Sequence, residues 1–259
     1  MDIVVCVKTN PDLQMVRIKN REPVLEAVPF KVGDLEKNAL EAAVQLRGAA
    51  GGKVVALTVA EGNRKIKETI KEALAMGADE AVIIADPALE TADQGGVALA
   101  LATAIGKLPD VGLVLFGEGS TDGYSGQVPP RVAEVLGIPQ IGYARSISLN
   151  GDTVVVVRSV DETVETLASV APVVVTVVSE INEPTIPSLM SIMKAGKKPV
   201  TEWALADLGL DAVVVASSVT TLSNLAEEQD RKRIILEGGP AAAAEALLNA
   251  LVKEGVVGR

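Results

Sequence analysis

The sequence predicts an α/β protein organised around an open, mostly parallel, doubly wound sheet. Four short apolar runs rich in β-branched residues carry that reading: IVVCVK (Ile3–Lys8), KVVALTV (Lys53–Val59), EAVIIAD (Glu80–Asp86) and VGLVLFG (Val111–Gly117). Continuous runs of this kind suit parallel strands covered on both faces. Helix-period stretches separate them, and alternation at this spacing implies right-handed strand–helix–strand crossovers. Hydrophobic residues make up 48% of the 259 residues and aromatics only 2%, so the core must be built from Val, Ile, Leu and Ala.

The first strand is followed by an insertion, residues 13–30. Its polar KNRE turn lies between VRI and PVLEAV, which reads as a small hairpin or arm. DLEKNALEAAVQLR then repeats apolar residues at helical spacing, with Asp34 in the cap position. NRKIKETIKEALAMG reads as helix up to a C-cap glycine, Gly77. DQGGVALALATAIGKL follows the third strand as a helix, and SGQVPPRVAEVLG follows the fourth and closes at Gly137. Residues 140–180 contain no helical stretch. Asn-Gly within LNGDT signals a hairpin, and VVVVR, VDETVETL and PVVVTVV read as an antiparallel meander that extends or flanks the sheet. From Ile181 to Gly209 nothing is strongly periodic, and PAAAAEALLNALVKEGVV is a final amphipathic helix. The expected organisation is an α/β nucleotide-binding domain over residues 1–180, a distinct segment over 181–200 and a C-terminal arm over 201–259.

Several classes of chemistry are excluded. The chain has no histidine, which removes Ser-His-Asp and Cys-His catalysis, imidazole bases and histidine-ligated zinc. A single cysteine removes intramolecular disulfides and multi-cysteine metal sites. Cys6 sits in an apolar run and reads as a small core residue. No metal site and no catalytic residue is expected. A formal net charge of -10 argues against a general nucleic-acid surface. Asp2 follows Met1, so no signal peptide is expected. No run approaches the ~18 apolar residues of a membrane span. A soluble, cytoplasmic protein without membrane insertion is expected.

The segment FGEGSTDGYSGQVPPRVAEVLG begins at the C-terminal end of the fourth strand, where open α/β sheets place ligands. Gly117, Gly119 and Gly123 allow close backbone approach. Ser120, Thr121 and Ser125 offer hydroxyls, and the helix that follows offers N–H groups to a phosphate. The glycine spacing is not the dinucleotide fingerprint, and no Gly-x-x-x-x-Gly-Lys-[Ser/Thr] exists. By itself the loop reads as either a plain turn or a phosphate loop. Two other strand ends should line the same crevice: KTNPD, with Lys8, Asn10 and Asp12, and AEGN, with Glu61 and Gly62. Asp122, the one acid inside the glycine loop, suits a sugar hydroxyl as well as chemistry.

A second segment stands apart: PTIPSLMSIMKAGKKPV, Pro184–Val200, with three lysines and no acid. It reads either as a solvated basic turn or as a docking anchor, with Leu189, Met190, Ile192 and Met193 forming an adaptable apolar tip. Lys194, Lys197 and Lys198 would steer acidic partners towards it.

Nearly end to end, the chain resembles the β (small) subunit of electron-transfer flavoproteins. The resemblance rests on IVVCVK, ETIKEALAMGADEA (Glu68–Ala81), STDGYSGQVPPRVAEVLGIPQ and, most specifically, INEPTIPSLMSIMKAGKKP (Ile181–Pro199). It implies a fold of the adenine nucleotide alpha hydrolase type. It also implies a heterodimer whose larger α subunit carries the redox-active FAD, while the β subunit binds a second nucleotide. In simple carriers that nucleotide is AMP; in bifurcating members it is FAD, which accepts a hydride from NADH. Asp122, Gly123, Gln127, Val128 and Pro130 match the bifurcating pattern, which favours FAD. Tyr124, Ser125, Gly126 and Pro129 depart from both types, and Gly33-Asp34 replaces the Asn-Pro of bifurcating members, so AMP stays open.

The positions matching the family's nucleotide contacts are Cys6, the turn Gly33, Asp34, Leu35 and Glu36, Glu61 with its neighbours, and Glu118 to Gln127. The lysine-bearing segment resembles the recognition loop, in which Leu189 would enter a pocket on an acyl-CoA dehydrogenase-type flavoenzyme. A membrane quinone oxidoreductase is the implied acceptor, and the arm over 201–259 would contact the α subunit. Competing readings are a nucleotide-binding regulator of the universal-stress type, which gives no reason for the lysine segment, and a nicotinamide dehydrogenase, which the missing fingerprint opposes.

Overall fold

A computed structural model describes residues 1–60, 65–227 and 232–258. The chain divides into two compact units, Met1–Arg17 with Val24–Ser223 and Ile18–Pro23 with Asn224–Arg259. In chain order the elements are β1 (Asp2–Cys6), β2 (Thr9–Pro11), β3 (Arg17–Lys19), β4 (Glu22–Val24), β5 (Phe30–Val32), α1 (Asp34–Ala50), β6 (Val54–Val59), α2 (Ile66–Thr69), α3 (Lys71–Met76) and β7 (Glu80–Ile84). A 3₁₀ turn (Pro87–Thr91) leads to α4 (Gln94–Lys107), β8 (Val111–Gly117) and α5 (Val128–Leu136). Then come β9 (Gln140–Asn150), β10 (Thr153–Val160), β11 (Thr163–Val170), β12 (Val173–Val177), α6 (Leu189–Ala195), β13 (Val200–Trp203), α7 (Leu205–Leu208), α8 (Ala212–Val215) and α9 (Pro240–Lys253).

The main sheet has nine strands in the order β11-β10-β9-β12-β8-β1-β6-β7-β13. β1 pairs in parallel with β6 on one side and β8 on the other, so the chain winds outward one way and then restarts beside β1. This is the doubly wound sheet the apolar runs predict. Successive residues of β1 face opposite layers. Ile3, Val5 and Val7 pack with α1 and α3 in one core, and Val4 and Cys6 pack with α4 and α5 in the other. Each fully buried aliphatic side chain there contributes about 1.5–3 kcal/mol of transfer free energy.

Three details differ from the expectations. β12 is no part of a meander: it lies between β8 and β9, parallel to both. Within the main sheet the antiparallel pairings are β9 with β10 and β10 with β11. All five β12 residues are buried, and a run covered on both faces carries no mark of strand direction. The hairpin turn is one residue later than Asn-Gly, since Asn150 pairs with Thr153 and Gly151 takes φ 58°. Asp34 is the first helical residue rather than the cap. The cap is Gly33, without a side-chain cap bond.

The insertion forms two small ladders, β2 with β5 and β3 with β4. Asn20 and Arg21 make the tip of the latter with φ 51° and 67°. Within the smaller unit Arg21 and Ala226 exchange backbone and guanidinium hydrogen bonds, and α9 has no buried residue.

Gly96, in the first turn of α4, has no room for a side chain, because a Cβ would lie 2.2 Å from the Val215 carbonyl oxygen. Gly96→Ala should therefore lower the urea midpoint by the equivalent of about 1–2 kcal/mol, overpacking outweighing the ~1 kcal/mol gained in helix propensity. An unchanged or raised midpoint would show that α8 is not held against α4.

Candidate functional site

A crevice of about 210 Å³ opens beyond the C-terminal ends of β1, β6 and β8. It sits where the winding restarts, the position at which open α/β sheets bind ligands. Its lining combines the apolar side chains of Leu57, Val59, Val97, Leu101 and Phe116 with the polar groups of Lys8, Glu36 and the loop after β8. Cys6 also lines it, 5% exposed, and burial pushes its thiol far up, so it stays neutral.

The loop after β8 is held to β1 by side chains. Lys8 Nζ lies 3.0 Å from Asp122 Oδ2, and Asn10 Nδ2 donates to Thr121 Oγ1 at 3.1 Å. Burial alone would raise Asp122, but hydrogen bonds from Ser120 and Lys8, with the Lys8 charge, outweigh it and hold the carboxyl below its ordinary value. Two glycines make the loop's path: a Cβ at Gly117 would lie 2.7 Å from Leu35 Cβ, and one at Gly119 would lie 2.9 Å from the Tyr124 ring. Tyr124 itself stands at φ 45°. Its hydrogen bond to Glu118 pushes the phenol up to about 12.

Of the predicted residues, the structure gathers Cys6, Lys8, Glu36, Gly117, Glu118, Gly119, Ser120, Gly123, Ser125, Gly126 and Gln127 at the crevice. Asn10, Gly33, Leu35, Thr121, Asp122 and Tyr124 support it from behind or from the rim. Asp12 and Asp34 instead lie near Lys31, at 3.6 and 3.8 Å. Glu61 and Gly62 lie outside the described residues. The N-terminus of α5 is poorer in donors than expected, since Pro129 and Pro130 occupy its second and third positions and carry no N–H.

Sequence reasoning missed the first turn of α4. Asp93 is its N-cap and lines the crevice beside Gln94. Asp93 Oδ1 accepts from the N–H groups of Gly95 and Gly96 at 2.9 and 3.1 Å, and Oδ2 accepts from Ser218 N and Oγ, both at 2.8 Å. The Ser218 bonds, then those from α4, pull the carboxyl down to about 2. The available signal was an aspartate before Gln-Gly-Gly, a capping residue ahead of a tight first turn.

The segment Pro184–Val200 is not irregular throughout. Ser188 accepts from Ser191 N at 3.1 Å and caps α6. Leu189, Met190, Ile192 and Met193 are all exposed, Leu189 at 75%, while Ala195 is buried. The base is clamped to α1: Asn38 Nδ2 donates to Asn182 and Ser179, and Glu41 accepts from Thr185 N at 3.0 Å. Lys194 and Lys197 are exposed. Lys198 corrects the expectation of a steering charge, because it turns inward. Its ammonium donates to the Leu74 and Ala78 carbonyls at the end of α3, and burial lowers its pKa.

Among the described residues no group of acids and cysteine could hold a metal ion, and no helix is long and apolar enough to cross a membrane. Residues 24–208 match the family model described as the electron transfer flavoprotein domain. Similar proteins include those named electron transfer flavoprotein subunit beta from Thermoanaerobacterium thermosaccharolyticum and Clostridium acetobutylicum. Each is 38% identical over 164 residues. These matches cover 62% of this chain and 62% of the relatives' own length.

Asp93→Ala should cost about 0.5–2 kcal/mol at pH 7, as loss of an N-cap does. A carboxyl with a depressed folded-state pKa stabilises fully above the ordinary carboxylate range and loses that contribution as pH falls towards about 2. The stability gap between wild type and variant should therefore hold from neutral pH to about 5 and shrink below ~4. A gap that is absent at pH 7, or undiminished near pH 2.5, would contradict this role.

Proposed function

Because the chain belongs to the electron transfer flavoprotein domain family, we propose that it acts as the β-type subunit of a heterodimeric electron carrier. It grips an adenine nucleotide in the crevice and pairs with an α-type subunit bearing the redox-active FAD. The observation that carries this reading is the crevice itself, which lies at the restart of the winding and is lined by both apolar and polar groups. An adenine nucleotide fits that wall chemistry. Its flat base suits Leu57, Val59 and Phe116, and its sugar and phosphate suit the hydroxyls and backbone of the loop after β8. Two buried acceptors, Asn10 Oδ1 behind the crevice and Oε2 of the lining residue Glu36, have no hydrogen-bond partner among the described residues, and such groups are uncommon in a finished interior.

The nucleotide is proposed to be FAD, supported by the match of Asp122, Gly123, Gln127, Val128 and Pro130 to the bifurcating pattern. When bound here, FAD would supply a second flavin able to accept a hydride from NADH. AMP is the second reading, favoured by a specific observation. A space of about 210 Å³ is smaller than the roughly 300–1,000 Å³ of pockets that enclose a drug-sized ligand.

Pro184–Val200 is proposed as the docking anchor for an acyl-CoA dehydrogenase-type flavoenzyme, with a membrane quinone oxidoreductase as downstream acceptor. The exposed apolar row on α6 and the clamp of its base to α1 support this. A preordered anchor loses less entropy on docking. Lys194 and Lys197 remain to steer it. The C-terminal arm is proposed to hold the α-type subunit, consistent with the exposed α9.

Nucleotides released by denaturing the purified heterodimer should number two flavins, or one flavin and one AMP on the second reading. A stable homodimer with neither, and with no affinity for a flavoprotein subunit, would overturn the proposal in favour of a nucleotide-binding regulator. Leu189→Ala should slow reduction by the partner dehydrogenase about tenfold, a typical hot-spot loss, with flavin content unchanged. Equal rates would remove the anchor role.

A further inference from the structure

One side of the crevice is built on a helix that the sheet does not hold alone. Asp93, Gln94, Val97 and Leu101, at the start of α4, line the cavity. Gly96, Val97 and Ala98 are all buried, and successive helical residues point about 100° apart, so the first turn is covered on more than its sheet side. The chain over residues 203–218 supplies part of that cover, since α7 and α8 pack on α4. Leu205, Leu208 and Val215 are buried in the same core as Leu57, Val97, Leu101 and Phe116. The segment is tied to both ends of the helix. Lys107, the last residue of α4, donates to the Asp207 carbonyl and lies 5.8 Å from the centre of the Trp203 ring. At the other end Asp93, the N-cap, accepts from Ser218 N and Oγ through Oδ2. Past Ser218 the chain is exposed at Val219 and Leu222.

The first turn of α4 needs such support. It holds Gly95 and Gly96, and glycine is the poorest helix former after proline. Gly96 cannot give way to a better one, because the Val215 carbonyl occupies the space its side chain would need. Helix ends fray where their N–H groups lose a partner, and the two glycine N–H groups here share one acceptor, Asp93 Oδ1. The other oxygen of that carboxylate is held by two donors of Ser218, which fixes its direction. The C-terminal segment and the helix cap thus meet in a single side chain.

Resting on the reading of the crevice as an adenine-nucleotide site, we infer that residues 204–218 form a strap that sets how tightly the crevice holds its nucleotide, with Ser218 as the positioning residue. None of these residues lines the cavity. They act through Asp93: while Ser218 holds it, the first turn of α4 keeps the helical path that presents Asp93, Gln94 and Val97 to the ligand. With Ser218 released, the turn is ordered for only part of the time, and apparent affinity falls in proportion. The coupling is reciprocal, so a nucleotide resting against the ordered turn slows the opening of the strap. A stretch of chain that begins only after β13 therefore belongs to the nucleotide site. AMP and FAD share the adenosine moiety, so the inference holds for either.

The test is isothermal titration with AMP of the full chain, with the subunit it purifies with and stripped of nucleotide, for wild type, Ser218→Ala and Ser218→Thr. Alanine should weaken AMP binding about fivefold, the lower end of coupling between sites, while threonine, which keeps the hydroxyl, should stay within about twofold of wild type. A purely structural role would lower the urea midpoint of the alanine variant and leave its AMP affinity unchanged. In wild type, amide exchange at residues 212–218 should slow about fivefold at saturating AMP. Should the alanine variant fail to fold, this exchange measurement decides alone. Equal AMP affinity in wild type and Ser218→Ala, equal weakening by alanine and threonine, or exchange at residues 212–218 indifferent to AMP would overturn the role of the strap and leave the crevice reading intact. No binding of AMP or FAD by wild type would overturn both.

Discussion

The restart of the winding beside β1 is the constraint on which the molecule depends. Strand order reverses beside β1, so α1, which leads to β6, and α4, which leads to β8, lie in opposite layers and diverge at the C-terminal ends of these strands. A gap must remain there. Ile3, Val4 and Val5 are wholly excluded from solvent, so the strand that defines the gap is anchored in both cores. Lys8 and Asn10 are placed by that strand, and their bonds to Asp122 and Thr121 hold the loop after β8 across the end of the gap.

The helix α1 joins the two features with a functional reading. Its first turn brings Glu36 to the crevice, and about half a turn and one and a half turns further on Asn38 and Glu41 hold the base of the exposed segment at Asn182 and Thr185. Ala39, Leu40, Ala42 and Ala43 bury the helix in the core against the sheet. A single packed helix thus fixes the spacing between the crevice and the apolar tip on α6.

Much of this was legible in the sequence because parallel strands covered on both faces leave unmistakable apolar runs, and because Gly77 and Gly137 mark helix ends by their backbone requirements. The places where reading failed share a physical cause. Val173–Val177 is buried on both faces, so pattern could not distinguish a parallel insertion from the end of a meander. LMSIMKA forms a helix with its apolar residues outward, and only Ala195 is covered, so the usual buried stripe never appears. Lys198 could not be told from Lys194 and Lys197, because its partners are backbone carbonyls of α3 more than a hundred residues away in sequence. The cap bonds of Asp93 to Gly95 and Gly96 are local, but its bonds to Ser218 join residues far apart in sequence and leave no local mark.

Hydrogen–deuterium exchange with and without added AMP tests the central claim directly. The account predicts slower exchange at residues 6–8, 33–37 and 117–128 on binding, with residues 189–195 unaffected. Protection concentrated on residues 189–195, or no protection around β1 and the loop after β8, would contradict it.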